Sequence, residues 1–318
     1  MLNPSEPLDI GAVVVSWNTR IDTLNAVRSL RDDLLNSGLH WRIIVVDNGS
    51  ADGTVEALRV ELPDVEVVAS DENLGFVRAN NLGMTMLGLG ADDNGPRAVY
   101  LLNPDTVTHP GATRRLFDAL MADPRAGLAG AGLRFGDGTF QHSAFMFPGL
   151  FQLWMELFPA PGRLYESRLN GRYPRTAYAS STPFEVDFVL GATMMACSDV
   201  VRRVGMLDEA FFMYCEEIDW AWRMHRAGYR VLCDPSALVT HLGGQSSGQV
   251  RPQTILRLWT SRLTLFARMY PLWKQRIAGQ MIRIGMRRRV QQAQREGQDA
   301  SVIEAYQQVA VLAGEMLP

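Results

Sequence analysis

The sequence predicts an α/β protein with a helical C-terminal extension, and three observations carry that expectation. Apolar runs of strand length alternate with stretches of helix length over roughly the first 120 residues. Several of those runs stop abruptly in polar loops, at Ser16, Asp47 and Leu102. The 318-residue chain is 47% hydrophobic and 20% charged, ordinary for a globular protein that buries a full-sized core.

Taken in order, Ile10 to Ser16 reads as a first strand and Ile21 to Leu35 as a helix. Trp41 to Asp47 is the second strand, with a helix starting near Asp52. Val65 to Ser70 supplies a third strand and Phe76 to Leu89 a helix, before the apolar run Ala98 to Leu102 and a helix over Gly111 to Met121. Such a succession implies a mostly parallel sheet with helices on both faces. Gly127 to Phe140 is glycine-rich and reads as a strand and hairpin. Gln141 to Thr182 mixes aromatics, prolines and arginines without a period, an irregular stretch read as a lid or acceptor-facing segment. Regularity returns in Phe184 to Leu190 and Gly191 to Cys197, followed by a short helix near Val200 to Val204. Glu217 to Ala227 is a helix stopped by Gly228, and Tyr229 to Cys233 and Leu238 to His241 are short strand-like segments. Beyond Gly248 the pattern is helical, at Pro252 to Met269, Leu272 to Arg289 and Ser301 to Gly314.

Charge is distributed unevenly although the formal net charge is only -3. Eleven of the 31 basic residues, and none of the 34 acids, lie between Val250 and Glu296. That break sets the expected domain boundary, dividing residues 1–250 from a basic extension over residues 251–318. Arginines interleaved with Leu, Ile, Met, Trp and Phe over 251–295 suit contact with an anionic membrane surface. They equally suit helices packed on the rest of the chain with arginines in water, or a homo-oligomer interface. No recognition motif accompanies the charge, so nucleic acid is not an expected partner. No run of about eighteen apolar residues occurs, and Met1 to Asp9 is acidic and proline-containing, so neither a spanning helix nor a cleaved signal is expected. Cys197, Cys215 and Cys233 are odd in number and form no CxxC pair, which fits a reduced, cytoplasmic compartment.

The loops after the strands hold the residues that can do chemistry. Ser16-Trp17-Asn18 contains no glycine, which argues against a dinucleotide fingerprint. Asp47, at the end of strand two, can accept hydrogen bonds from a nucleoside, while Ser50 or Asp52 can cap the next helix. Arg78, in the first turn after Asn73-Leu74-Gly75, reads either as a diphosphate ligand or as a solvated arginine. Asn103-Pro104-Asp105 must emerge where the strand stops, because proline cannot continue a ladder. Its two oxygen-bearing side chains can serve a hard divalent cation, or simply make a turn. Glu216, Glu217 and Asp219 begin a helix beneath aromatic residues, favoured by the macrodipole and available as a general base. His241 closes a strand-like segment just before two glycines.

In this order, Val13-Val14-Val15-Ser16-Trp17-Asn18, Asp47-Asn48-Gly49-Ser50, Asn73 to Asn81, Leu102-Asn103-Pro104-Asp105, Gly191-Ala192, Phe212 to Trp220 and His241 resemble family 2 of the inverting glycosyltransferases. The resemblance spans roughly residues 10 to 270 and is nearest to the rhamnosyltransferase-like branch of the GT-A fold. It implies that Asp47 binds the pyrimidine base of a nucleotide-sugar, with Ser16 and Asn18 near the nucleoside, Arg78 on the diphosphate and Asn103 beside the substrate. Asp105 and His241 would hold a divalent cation, Mg or Mn. Glu217 would be the catalytic base, with Glu216 and Asp219 as alternatives. The sequence departs from the family pattern at Asn103, where an acid is usual, and at Glu217, where Asp is commoner. The implied activity is transfer of a hexosyl group, L-rhamnose from dTDP-rhamnose first and a UDP-sugar such as galactofuranose second, to a glycan or lipid-linked acceptor. Polysaccharide biosynthesis at the inner face of the cell membrane is the implied setting. A sugar-nucleotide-binding protein without turnover and a membrane scaffold are the competing readings.

Overall fold

The computed structural model describes residues 8–90, 95–243 and 251–317. The chain runs β1 (Ile10–Ser16), α1 (Arg20–Leu35), β2 (Trp41–Asp47), α2 (Thr54–Glu61), β3 (Glu66–Ala69), α3 (Phe76–Met86) and β4 (Ala98–Leu102). It continues through β5 (Thr106–Thr108), α4 (Ala112–Ala122), β6 (Ala126–Arg134), β7 (Phe140–Gln141), β8 (Ala144–Phe145), α5 (Leu150–Leu157), α6 (Gly162–Tyr165) and α7 (Arg175–Tyr178). Then come β9 (Phe184–Val186), β10 (Phe188–Val189), β11 (Thr193–Cys197), α8 (Ser198–Val204), α9 (Glu216–Arg226), β12 (Arg230–His241), α10 (Arg251–Met269), α11 (Leu272–Arg295) and α12 (Ala300–Met316).

The large sheet has the order β3-β2-β1-β4-β11-β6-β12-β5. Its first four strands are parallel, as the βα alternation predicts, and antiparallel neighbours enter at β11. β1 and β4 are buried along their whole length, which is why they read as unbroken apolar runs rather than alternating ones. The chain moves outward from β1 to β2 and β3, then returns to the other side of β1 as β4. This reversal opens a crevice at the carboxyl ends of β1 and β4. Val27, Leu30 and Leu34 of α1 and Leu116 and Leu120 of α4 join the core over this sheet. On α3, Gly83 lets the helix close on β1, since a Cβ there would meet Val13 Cγ1 at 2.5 Å.

Four details differ from the sequence reading. The stretch from Gln141 to Thr182 is not irregular throughout, because α5 and three short helical turns form within it. Tyr229 to Cys233 and Leu238 to His241 are parts of one strand, β12, whose register against β6 shifts between Asp234 and Leu238. β5 is an additional three-residue strand, and α11 continues past Arg289 to Arg295.

The described residues group into two compact units. One comprises the chain up to residue 145, residues 174–209 and 217–243; the other comprises 146–173, 210–216 and 251–317. The second has its own core, in which Leu153 and Leu157 join Trp259, Leu263, Phe266, Ile282, Met286 and Val309.

Candidate active site at the carboxyl edge of the sheet

Each strand that bounds the crevice delivers a polar residue as it ends. Ser16 pairs in register with Asp47, and Val14 pairs with Leu102, so the loops after β1, β2 and β4 leave the sheet side by side. The first two loops are tied together: Asn18 N donates to Ser50 Oγ (2.8 Å), and Asn18 Oδ1 accepts from Ala51 N (2.8 Å). Asn18 is left-handed (φ 51°), a conformation that asparagine tolerates better than most side chains. Ser16 Oγ is buried against Thr23 Oγ1 at 2.8 Å, and Asp52 accepts from the first helical amide of α1, Arg20 N, at 2.9 Å. Ser16 and Asn18 therefore spend hydrogen bonds on the shape of this loop, and Asp52 caps α1.

Asp47 is 1% exposed. Its Oδ1 accepts from Ser50 N at 2.9 Å, whereas Oδ2 is buried with no hydrogen-bond partner among the described residues. A buried carboxylate oxygen without a donor is costly to keep, so its natural explanation is a donor supplied by a ligand. Asn48, beside it, accepts from Leu74 N and donates to Gly75 O, fixing the loop that leads into α3. Arg78 lies in the first turn of α3, largely exposed and 3.9 Å from Glu209. A surface pair of that length contributes little to stability.

After β4, the Asn103 amide donates to Ala192 O (3.0 Å) and Thr106 Oγ1 closes the turn on Asn103 O (2.7 Å). Asn103 Oδ1 is buried and has no partner among the described residues. β5 pairs with the end of β12, bringing His241 opposite Thr106. His241 Nε2 thereby stands 3.5 Å from Asp105 Oδ1, the two side chains being 11% and 9% exposed. Behind the imidazole, Gln141 Nε2 lies 3.1 Å from His241 Nδ1, while Gln141 Oε1 is buried without a partner among the described residues. Amide oxygen and nitrogen are interchangeable in shape. Exchanging them lets Oε1 accept from Nδ1–H and leaves the Nε2 lone pair facing Asp105, the arrangement that a metal-binding histidine needs. A carboxylate, an imidazole and a nearby amide oxygen suit a divalent cation that completes its shell with water and phosphate oxygens. No cluster of three or more His, Cys, Asp or Glu side chains stands in metal-binding array among the described residues.

The acids of α9 separate by environment. Asp219 is 1% exposed and accepts from Arg223 Nε at 2.7 Å, and Arg223 also donates to Val204 O and Met206 O. Glu216 is buried, and Glu217 is half-buried. Glu217 packs on Gly191: a Cβ at residue 191 would stand 3.7–3.9 Å from its side-chain carbons. Because Ala192 binds the Asn103 amide, Gly191 and Glu217 lie beside the end of β4. The chain enters α9 through two left-handed residues, Tyr214 (φ 71°) and Cys215 (φ 66°), each costing roughly 1–2 kcal/mol.

Two residues here carry no signal in the sequence. Asp22, in the first turn of α1, is raised above the ordinary carboxylate range by burial and then by the charge of Asp105. Gln141 reaches His241 only because the two-residue β7 pairs with Leu133 at the end of β6.

Residues 12–195 match the profile of Glycosyl transferase family 2, more than half of the chain. The chain belongs to glycosyltransferase family 2. This glycosyltransferase is 32% identical over 219 residues to an N-acetylglucosaminyl-diphospho-decaprenol L-rhamnosyltransferase of Mycobacterium tuberculosis, covering 65% of this chain and 68% of that protein. It is 24% identical over 234 residues to the low-salt glycan biosynthesis hexosyltransferase Agl10 of Haloferax volcanii, covering 70% of this chain and 64% of that one. Among solved structures, GalNAc-T7 with UDP, GalNAc and Mn2+ superposes with a TM-score of 0.52 at 14% identity. That match covers 74% of this glycosyltransferase and 44% of GalNAc-T7, and it shows a shared GT-A fold.

Proposed function

We propose that this glycosyltransferase moves L-rhamnose from dTDP-rhamnose to a hydroxyl of a lipid-linked or glycan acceptor, with inversion and with a divalent cation. The observation that carries the reading is the meeting, at one sheet edge, of a buried partnerless Asp47 oxygen, the Asp105–His241 pair and Glu217 on Gly191. The similarity to a rhamnosyltransferase supports the choice of sugar.

Asp47 Oδ2 accepts the imide N–H of the pyrimidine, a donor common to thymine and uracil. Ser16, Asn18 and Asn48 hold the loops that shape the nucleoside pocket. Arg78, long and solvated, reaches the diphosphate. Asp105 and His241 hold the cation, with Asn103 Oδ1 beside them. When bound, Mg or Mn offsets the negative charge that develops on the departing diphosphate. The acceptor oxygen forms a bond to the anomeric carbon as the bond to the diphosphate oxygen breaks, and Glu217 receives the hydroxyl proton. Asp219 is committed to Arg223, which favours Glu217 for that role.

Calorimetry of dTDP and UDP, with and without Mn2+, tests the binding half of this reading. Binding strengthened by Mn2+ in the wild type and not in Asp105→Ala supports it, and tighter UDP than dTDP binding would redirect the donor assignment. For the chemistry, Glu217→Gln should lower turnover by about 10²–10⁴-fold while leaving dTDP affinity unchanged. Retained turnover in that variant would move the base elsewhere.

A further inference from the structure

The outward face of α11 is not used by the proposed reaction, and it sets exposed apolar side chains beside exposed arginines. Trp273, Ile277 and Ile284 are 57%, 42% and 52% exposed. At 100° per residue they fall within roughly 40° of one another, forming a narrow apolar stripe along the helix. Arg276, Arg283 and Arg287 are exposed along one side of this stripe. Arg283 and Arg287 also line an open groove of about 760 Å³ between α11 and α12, together with Gln291, Gln294 and Val311. The opposite face of α11 is already satisfied, because Ala278, Ile282 and Met286 are buried in the core of this unit.

We infer that this face of α11 docks on an anionic lipid bilayer, with Trp273, Ile277 and Ile284 entering the headgroup boundary and the arginines binding lipid phosphates. Charge selects this occupant, since eleven basic residues and no acid lie between Val250 and Glu296, and Arg276, Arg283 and Arg287 are exposed beside the stripe, whereas Arg262 is paired with Glu156 elsewhere. A second copy using the same face would set arginine against arginine across a two-fold axis. Three apolar side chains are also far short of the roughly 800 Å² per partner that a stable protein interface buries. A bilayer instead accepts a narrow apolar stripe flanked by cations, and each arginine near an anionic surface strengthens attachment roughly fivefold. Among the described residues no helix is long and apolar enough to cross a membrane. This inference does not depend on the sugar or on the metal.

The test is sedimentation of the full chain with neutral phosphatidylcholine vesicles and with vesicles containing phosphatidylglycerol. The expected result is pelleting with the anionic vesicles only, reduced in 0.5 M salt. Binding should be at least tenfold weaker in R276Q/R283Q/R287Q. Trp273 emission should shift to shorter wavelength on anionic vesicles, a change missing from Trp273→Phe. Thermal melts and dTDP binding of the variants establish that they fold. The inference is overturned if the wild type stays in solution with anionic vesicles, binds neutral ones equally well, or binds no better than the triple arginine variant.

Discussion

At the scale of single residues, Gln141 is the contact by which a side chain outside the proposed Asp105–His241 cation site would orient its imidazole. With the amide exchanged so that Oε1 accepts from Nδ1–H, it would keep the Nε2 lone pair of His241 directed at Asp105. Gln141→Leu keeps the volume and loses that bond, so apparent Mn2+ affinity should fall about 10–100-fold in calorimetry, with metal-free dTDP binding unchanged. Asp22 offers a second test, this time of charge. Its folded pKa lies above its unfolded one because of burial and the Asp105 carboxylate, so ionising it works against the fold. That penalty is complete above the folded pKa and gone below the unfolded value of about 3.9. Asp22→Asn should therefore melt higher than wild type at pH 7 in metal-free buffer, the gain shrinking as pH falls toward about 4; equal melting at pH 7 would mean that neither burial nor the Asp105 charge disfavours the Asp22 carboxylate. Asp47, Asn103 and Asp105 are legible in the sequence because each ends or follows an unbroken apolar run. Asp22 and Gln141 are not, since they meet Asp105 and His241 only through the packing of α1 and the pairing of β7, which leave no periodic trace.

At the scale of elements, α4 shows how one helix borrows its cap from another. Its N-terminal residue Gly111 has no side chain to cap with, and the carboxylate of Asp33 near the end of α1 takes its place. Asp33 accepts from Gly111 N at 2.5 Å and Thr113 N at 2.8 Å while 6% exposed. Asp33→Ala leaves two amides at the start of α4 without this acceptor, a loss of about 2–3 kcal/mol that urea unfolding would measure. Asp33→Asn keeps one acceptor oxygen and should recover part of it. β1, β2 and β4 announce themselves as apolar runs because both of their faces are covered. β5 does not, because three residues become a strand only by pairing with β12. The glycine-rich stretch Gly127 to Phe140 reads from the sequence as a strand and hairpin, and it forms β6 turning back into the antiparallel β7, but the glycines inside β6 serve packing rather than the turn. Gly130 and Gly132 there admit Val189 and the Pro235 backbone, to which a Cβ would approach within 2.6 and 2.9 Å. Close approach between strands is a tertiary fact, and a glycine in sequence does not distinguish it from a turn.

At the scale of the whole molecule, the charge break near residue 250 proposes one place to cut the chain, and the cores propose another. Removing residues 251–318 keeps every candidate catalytic residue and discards the basic helices. Yet Leu153 and Leu157 of α5, which stay behind, are buried against Trp259, Leu263, Phe266, Ile282 and Met286, all of which would be lost. Each large apolar side chain uncovered costs about 1.5–3 kcal/mol and leaves an adhesive surface on the remaining chain. If the second core governs, the 1–250 fragment should be aggregation-prone, bind a hydrophobic dye and bind dTDP poorly. Replacing Leu153 and Leu157 by serine in that fragment should then recover solubility, since the exposed surface rather than the fold of residues 1–145 would be at fault. If the charge break is the true boundary, the unmodified fragment should be monomeric by size-exclusion chromatography and bind dTDP as the full chain does. The serine replacements would then change nothing. The difference follows from the order of the chain: residues 146–173 and 210–216 group with the basic tail although they precede it, so a cut that is simple in sequence divides a core in space.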